Sequence, residues 1–108
     1  MQVILIVHCT KGGSLRDAVV AGLDRMVEPA LIVSEEKRAD RNPGWTKIHS
    51  ADYKRGALNI AWSPASWTLE GRVVTRGTRK ASPIVGDFVN YLLNNHRSRI
   101  KAITVTSP

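Results

Sequence analysis

The stretch ALNIAWSPASWTLEGRVVT, residues 57–75, decides the fold. Two runs of alternating apolar and polar residues flank the turn-forming segment Ser63-Pro64-Ala65-Ser66, a pattern typical of a β-hairpin with one buried face. A four-residue loop predicts a register with these opposite pairs on the buried face: Trp62 with Trp67, Ile60 with Leu69, and Leu58 with Gly71. The other face then carries short or charged side chains: Ala57, Asn59, Ala61, Thr68, Glu70 and Arg72.

The amino-terminal third predicts a strand, a helix and a second strand. The aliphatic run Val3–Val7 is typical of a strand buried on both faces in the middle of a sheet. Ser14 is in the position of a helix N-cap, and apolar residues at helical spacing continue to about Val27. Residues 30–33 read as the second strand. Such a βαβ unit is expected to have a right-handed crossover.

The rest of the chain adds an exposed loop, a short strand, a helix and a last strand. Residues 34–44 are charged and read as the loop, and residues 45–50 as a short strand. Ser82 as the N-cap and Pro83 as the first helical residue indicate the start of the second helix. Residues 100–106 read as the closing strand. No internal repeat or linker interrupts this order.

These elements predict one domain over residues 1–108, in the order β-α-β-(β)-β-β-α-β. The predicted class is α/β, with α+β as the alternative, and a single mixed sheet of five to six strands carries two helices. A first strand that is apolar on both faces needs cover on both sides. Either the helices lie on opposite sides of the sheet, or a second copy of the chain covers the uncovered half, so a homodimer is one predicted arrangement.

Charge and cysteine content constrain the function. Sixteen Lys and Arg against nine Asp and Glu give a formal net charge of +7, and the pI is near 10.2. Such an excess favours polyanionic partners, although it also serves simply to keep a basic protein in solution. Cys9 is the single cysteine, which excludes an intrachain disulfide. The apolar run at residues 3–7 is too short for a membrane anchor and lacks the basic residues of a signal peptide, so we expect a cytoplasmic protein that does not insert into a membrane.

The strongest basic cluster precedes the second helix and predicts a nucleic-acid-binding patch. Three of its cations come before a helix amino terminus, where backbone N–H groups favour phosphate. Two further arginines extend the patch along the exposed hairpin face, and Trp45 alternates with a lysine on the neighbouring strand, where it is available for base stacking. The predicted nucleic-acid-binding residues are Arg72, Arg76, Arg79, Lys80, Lys47, Trp45 and Arg55. A solvated basic loop explains the cluster equally well.

The loop after the first strand is a second candidate site. Lys11, Gly12, Gly13 and Ser14 lead into a helix amino terminus, which suits an anion, although an ordinary turn would have the same glycines. His8-Cys9 followed by Gly12 resembles the phosphate-binding loop of cysteine phosphatases. That resemblance implies a nucleophilic cysteine and a phosphate-binding arginine, but Arg16 follows Cys9 after six intervening residues instead of five.

No catalytic residue, metal site or cofactor is predicted, because the three histidines are scattered and no catalytic triad can be recognised. The favoured function is a small non-enzymatic module that binds DNA or RNA. The alternative is a protein-interaction or inhibitor subunit without catalysis. A small phosphate-binding or phosphoryl-transfer enzyme that uses the Cys9–Ser14 loop is the third hypothesis.

Overall fold

Six strands form one sheet and two α-helices pack on it in the computed structural model, which describes residues 3–27, 29–37, 45–51, 56–75 and 80–107. For residues 34–37 only the backbone is described. The elements are β1 (Val3–Cys9), α1 (Leu15–Arg25), β2 (Leu31–Lys37), β3 (Trp45–Ser50), β4 (Ala57–Ser63), β5 (Thr68–Val74), α2 (Ser82–Asn95) and β6 (Ile100–Thr106). A single 3-10 turn, Arg97–Arg99, joins α2 to β6. The predicted order of elements is confirmed.

The strands lie side by side in the order β2-β3-β4-β5-β1-β6, and each neighbouring pair is antiparallel. Of the two predicted classes, the chain therefore has the α+β arrangement. The βαβ unit expected at the amino terminus has its strands in the same direction, since four antiparallel steps separate β1 from β2. They are not neighbours, however, because β3, β4 and β5 lie between them. The connection from β5 through α2 to β6 is likewise split by β1.

Both helices lie on the same side of the sheet. When the sheet is drawn with β1 pointing upwards, β2 also points upwards and lies to the left of β1. β5 and β6 both point downwards, and β6 lies to the right of β5. Rotating the sheet by half a turn in its own plane converts the first connection into the second. Two crossovers of the same hand therefore place both helices on one face of the sheet. The buried side chains agree, because those of both helices join those of one sheet face in a single core: Leu5, Val7, Cys9, Leu15, Val19, Leu23, Leu31, Ile48, Leu58, Ile60, Leu69, Val73, Ile84, Phe88, Tyr91 and Leu92. The predicted alternative with helices on opposite sides is wrong.

The hairpin has the predicted faces but a register shifted by two residues. Trp62 pairs with Leu69 rather than with Trp67, and the remaining pairs shift accordingly. The reason is that Trp67 belongs to the turn, where it has a φ of +49°. A shift of two residues preserves the side of each side chain. Both tryptophans still pack partly buried against the core, so the predicted faces are confirmed and the three predicted pairs are wrong.

Two strands are longer than predicted. β1 continues through His8 and Cys9, where a break was expected. β2 extends to Lys37 and pairs with β3, so residues 34–37 are not part of a loop. The remainder of that predicted loop, residues 38–44, lies outside the described residues.

A glycine and a tyrosine bring the two helices together. The Tyr91 hydroxyl donates to the Val19 carbonyl oxygen at 3.4 Å and lies 3.0 Å from His96 Nε2. A Cβ atom at Gly22 would collide with this hydroxyl. Burial raises the pKa of Tyr91, which keeps its hydroxyl protonated as a donor. The absence of a side chain at Gly22 therefore allows this contact between α1 and α2.

Candidate nucleic-acid interface

The face of the sheet on which no described helix packs, which we call the uncovered face, contains a groove along β4. Four short side chains of β4 point to this face: Ala57, Asn59, Ala61 and Ser63. The neighbouring strands present longer ones, with Trp45 and Lys47 on β3 and Glu70 and Arg72 on β5. Since β3 and β5 are two strand spacings apart, the groove is about 9.6 Å wide between backbones. Residues 57–61 of β4 pair with both strands and give the groove a length of about 17 Å.

Three of the predicted nucleic-acid-binding residues flank this groove. Lys47, Asn59 and Arg72 form one row across the three strands, because Lys47 pairs with Asn59 and Asn59 pairs with Arg72. Trp45 lies in the adjacent row, opposite Ala61. Lys47 and Arg72 are exposed, and Trp45 is half-buried. The predicted placement of Trp45, Lys47 and His49 on one face of β3 follows the alternation of exposure along that strand.

A depression of about 280 Å³ lies within the groove. Its lining residues are Trp45, Asn59, Ile60, Ala61, Glu70 and Arg72. Glu70 approaches Arg72 at 4.0 Å, and both side chains are about half exposed, so this ion pair holds neither group firmly. The depression exists because Ala61 is short where its two row neighbours, Trp45 and Glu70, are long.

Asn59 and Glu70 were not among the predicted site residues. The hairpin alternation placed both on the exposed face, but their role in a groove requires β3 as the third strand. The contrast between short residues on β4 and long residues on β5 was readable from the sequence and could have indicated the groove.

The other predicted basic residues are not brought to the groove by the described structure. Lys80 is exposed and precedes α2, a helix that packs on the opposite side of the sheet from Arg72. Arg55, Arg76 and Arg79 lie outside the described residues. The helix start itself differs from the prediction, because Ala81 is the N-cap residue and Pro83 lies within the first turn.

The predicted anion-binding loop is fastened by an arginine from the far end of the chain. The Arg99 guanidinium donates to the Gly13 carbonyl oxygen at 2.8 Å, to Thr10 Oγ1 at 3.3 Å and to the Thr10 carbonyl oxygen at 3.4 Å. The Thr10 N–H donates in turn to the Arg99 carbonyl oxygen at 2.9 Å. Arg99 was not among the residues predicted for this loop. Its contacts give it the role of a clamp on the loop.

The remaining residues of this loop have ordinary structural environments. Ser14 Oγ accepts a hydrogen bond from the Asp17 N–H at 3.2 Å, which confirms the predicted N-cap. The Lys11 ammonium lies 5.9 Å from the centroid of the Trp67 ring, within the range of a cation–π contact. Gly12 and Gly13 are exposed. Anion binding by Lys11, Gly12, Gly13 and Ser14 remains a prediction.

The surroundings of Cys9 do not favour a nucleophile. The side chain is 5% exposed, and its thiol lies 3.6 Å from the Val7 carbonyl oxygen. Burial raises the pKa of the Cys9 thiol, while the Arg99 charge and a backbone hydrogen bond from Leu69 act weakly in the opposite direction. Arg16 lies 3.5 Å from Asp17 and is not among the residues that contact the loop carbonyls. Burial of Cys9 thus disfavours the reactive thiolate that the resemblance to cysteine phosphatases implies.

The histidines also have structural contacts. His8 Nε2 lies 3.3 Å from Thr104 Oγ1 across neighbouring strands, and His49 Nδ1 lies 2.9 Å from the Ser50 carbonyl oxygen. Burial, with a smaller effect of the Arg99 charge, lowers the pKa of His96, so that its ring is neutral at pH 7. Among the described residues, no three His, Cys, Asp or Glu side chains are grouped as a metal site requires.

Comparison with known proteins leaves the geometry of the sheet as the basis for a functional proposal. No protein-family model, curated protein or solved structure matches the chain. Within the described residues, neither helix has the length and apolar composition needed to cross a membrane.

Proposed function

We propose that this protein is a small, non-enzymatic nucleic-acid-binding module that binds single strands on the uncovered face of its sheet. The observation that carries the proposal is the position of Trp45, Lys47 and Arg72 around one groove. An aromatic ring in the row next to two cations supplies both contacts that single strands offer, since bases stack on the ring and phosphates bind the cations.

Single strands suit this surface better than duplexes. In a duplex, the faces of the bases are stacked on each other, so Trp45 has no base face to contact. An extended strand can follow β4 along the length of the groove. The net charge of +7 attracts either form, and the groove is what distinguishes them.

The same residues also explain why binding should depend on salt. Each phosphate contacted on a single strand contributes about −0.7 to the slope of log K against log salt. Lys47 and Arg72 together therefore predict a slope at least as steep as about −1.4.

We infer a cytoplasmic location as well, because Cys9 is a free buried thiol.

A salt titration with fluorescent DNA and RNA oligonucleotides tests this function. We expect single strands to bind in the micromolar range at moderate salt, to weaken steeply as salt rises, and to bind more tightly than duplexes of the same sequence. Absence of single-strand binding at low salt would refute the proposal. Equal affinity for both forms, at every salt concentration, would show that general basicity and not the groove is responsible.

A second copy of the chain is the second candidate partner, because an apolar area remains on the same face. Ile4 and Ile6 of β1 point away from both helices and are half-buried. They lie beside the groove, next to Arg72 and Glu70 of β5. We propose that a second copy covers this β1 region in a homodimer, which leaves β4 accessible. Covering the whole face instead would correspond to the alternative function, a protein-interaction or inhibitor subunit.

A further inference from the structure

Glu70 is the least expected side chain on a surface that binds a polyanion. It lies on the wall of the depression opposite Trp45, with Ala61 between them in the same row. A carboxylate so close to bound phosphates opposes binding through charge repulsion. Its ion pair with Arg72 is loose and exposed, so pairing with Arg72 gives little reason for its presence.

A carboxylate is, however, a good acceptor for the N–H groups of a base. Two parallel donors bind it bidentately, in the way that an arginine fork does. Guanine is the one standard base with two adjacent N–H donors on one edge, at N1 and at the exocyclic N2. Cytosine and adenine offer a single amino group next to a ring acceptor, and thymine or uracil offers one N–H between two carbonyls.

We propose, on the basis of the function above, that the depression between Trp45 and Glu70 binds a guanine base of a single strand. The indole of Trp45 provides the stacking surface, which a purine covers more fully than a pyrimidine. The Glu70 carboxylate accepts from guanine N1–H and N2–H. Lys47 and Arg72, on the two walls of the groove in the neighbouring row, contact the adjacent phosphates.

The arrangement also predicts opposite effects of Glu70 on affinity and on selectivity. Removing the carboxylate eliminates repulsion from the phosphates and so strengthens binding to single strands that contain no guanine. The same change removes the acceptor for guanine and so abolishes the preference. If Glu70 served only in folding, its removal would not change affinity and selectivity in opposite directions.

Anisotropy titrations with oligothymidylate that carries one central guanine test the proposal. We expect the wild-type protein to bind this strand about 5- to 100-fold more tightly than oligothymidylate alone, which is the range for one good bidentate base contact. Replacing the guanine by inosine, which lacks the exocyclic amine, should lose most of the gain. Replacing it by 7-deazaguanine, which keeps both donors, should not.

Glu70→Ala should bind the strands with guanine, inosine and 7-deazaguanine with equal affinity and should bind oligothymidylate more tightly than the wild type does. Asp24→Ala removes an equal charge from an exposed position of α1, on the other side of the sheet, and should keep the guanine preference. Glu70→Gln, which retains the size of the side chain but only one acceptor, should also lose the preference, so the test does not depend on one variant folding.

The outcomes separate this inference from the function on which it rests. If no single strand binds the wild-type protein, both fail. If single strands bind without preference for guanine, or if the preference for guanine over inosine survives in Glu70→Ala, the guanine site is refuted and the single-strand function stands.

Discussion

At the scale of single residues, the contact of Gly22 with Tyr91 makes an unusual stability prediction. Alanine normally stabilises a helix interior relative to glycine by about 0.8–1.0 kcal/mol. At Gly22 the added methyl group would meet the Tyr91 hydroxyl, which is held by Val19 and His96 and cannot move away freely. Overpacking costs about 1–3 kcal/mol and exceeds the propensity gain. We therefore expect Gly22→Ala to lower the free energy of unfolding by up to about 2 kcal/mol, measured by urea denaturation.

Gly86 provides a matched control in the other helix. A Cβ atom there would meet no other atom within 4 Å, so Gly86→Ala should raise the free energy of unfolding by about 0.5–1 kcal/mol. Opposite signs for the two substitutions are the expected result. A stabilising effect of alanine at both positions would contradict the contact between the helices.

What the sequence revealed about single residues depended on how far apart the partners are. The Ser14 cap and its first-turn acid are three residues apart, and local spacing was sufficient to predict them. Gly22 and Tyr91 belong to different helices, and their contact depends on how the helices pack. Trp67 was misplaced because nothing in its sequence context required a left-handed backbone in a residue that normally avoids it.

At the scale of secondary-structure elements, the Arg99 clamp predicts local stability in the loop before α1. Three hydrogen bonds from a charged donor connect the 3-10 turn to residues 10–13. Arg99→Ala should lower the free energy of unfolding by about 1–2 kcal/mol and speed amide hydrogen exchange in the loop. Arg97→Ala, an exposed arginine of the same turn, should change stability by less than about 0.5 kcal/mol. Equal effects of both substitutions, by denaturation and by exchange, would argue against the clamp.

The strands and helices themselves were largely predictable, but which strands lie side by side in the sheet was not. Alternation along the hairpin assigned both faces of β4 and β5 correctly, because a two-residue register shift leaves faces unchanged. The same reasoning placed Trp45 and Lys47 on one face of β3. The pairing of residues 34–37 with β3 was missed, since charged residues at a sheet edge have the composition of a loop.

At the scale of the whole molecule, two crossovers of one hand leave one sheet face without helices among the residues that the structure describes. The apolar run of β1 already predicted that two helices on one side would require other cover. The strand order determines on which side of the sheet each helix lies. That order depends on long-range strand pairing, which a single sequence does not reveal.

The uncovered isoleucines give this arrangement a measurable consequence. We expect sedimentation equilibrium to report twice the chain mass of 11.9 kDa at micromolar concentrations. Ile6→Glu should dissociate the dimer, because it buries a charge in the proposed interface. Leu93→Glu makes the same change on α2, at a residue 45% exposed on the helical side, and should leave the dimer intact. A wild-type protein that is monomeric at 100-fold higher concentration would exclude the second copy.

The location of the binding surface is tested most directly by reversing one charge on each side of the molecule. Arg72→Glu and Arg97→Glu change the net charge equally, but only Arg72 borders the β4 groove. We expect Arg72→Glu to reduce single-strand affinity by at least about tenfold at moderate salt and to flatten the salt dependence by about 0.7 in slope, while Arg97→Glu has a small effect that added salt removes. Equal losses in both variants, at every salt concentration, would show that the uncovered face of the sheet is not the nucleic-acid-binding surface.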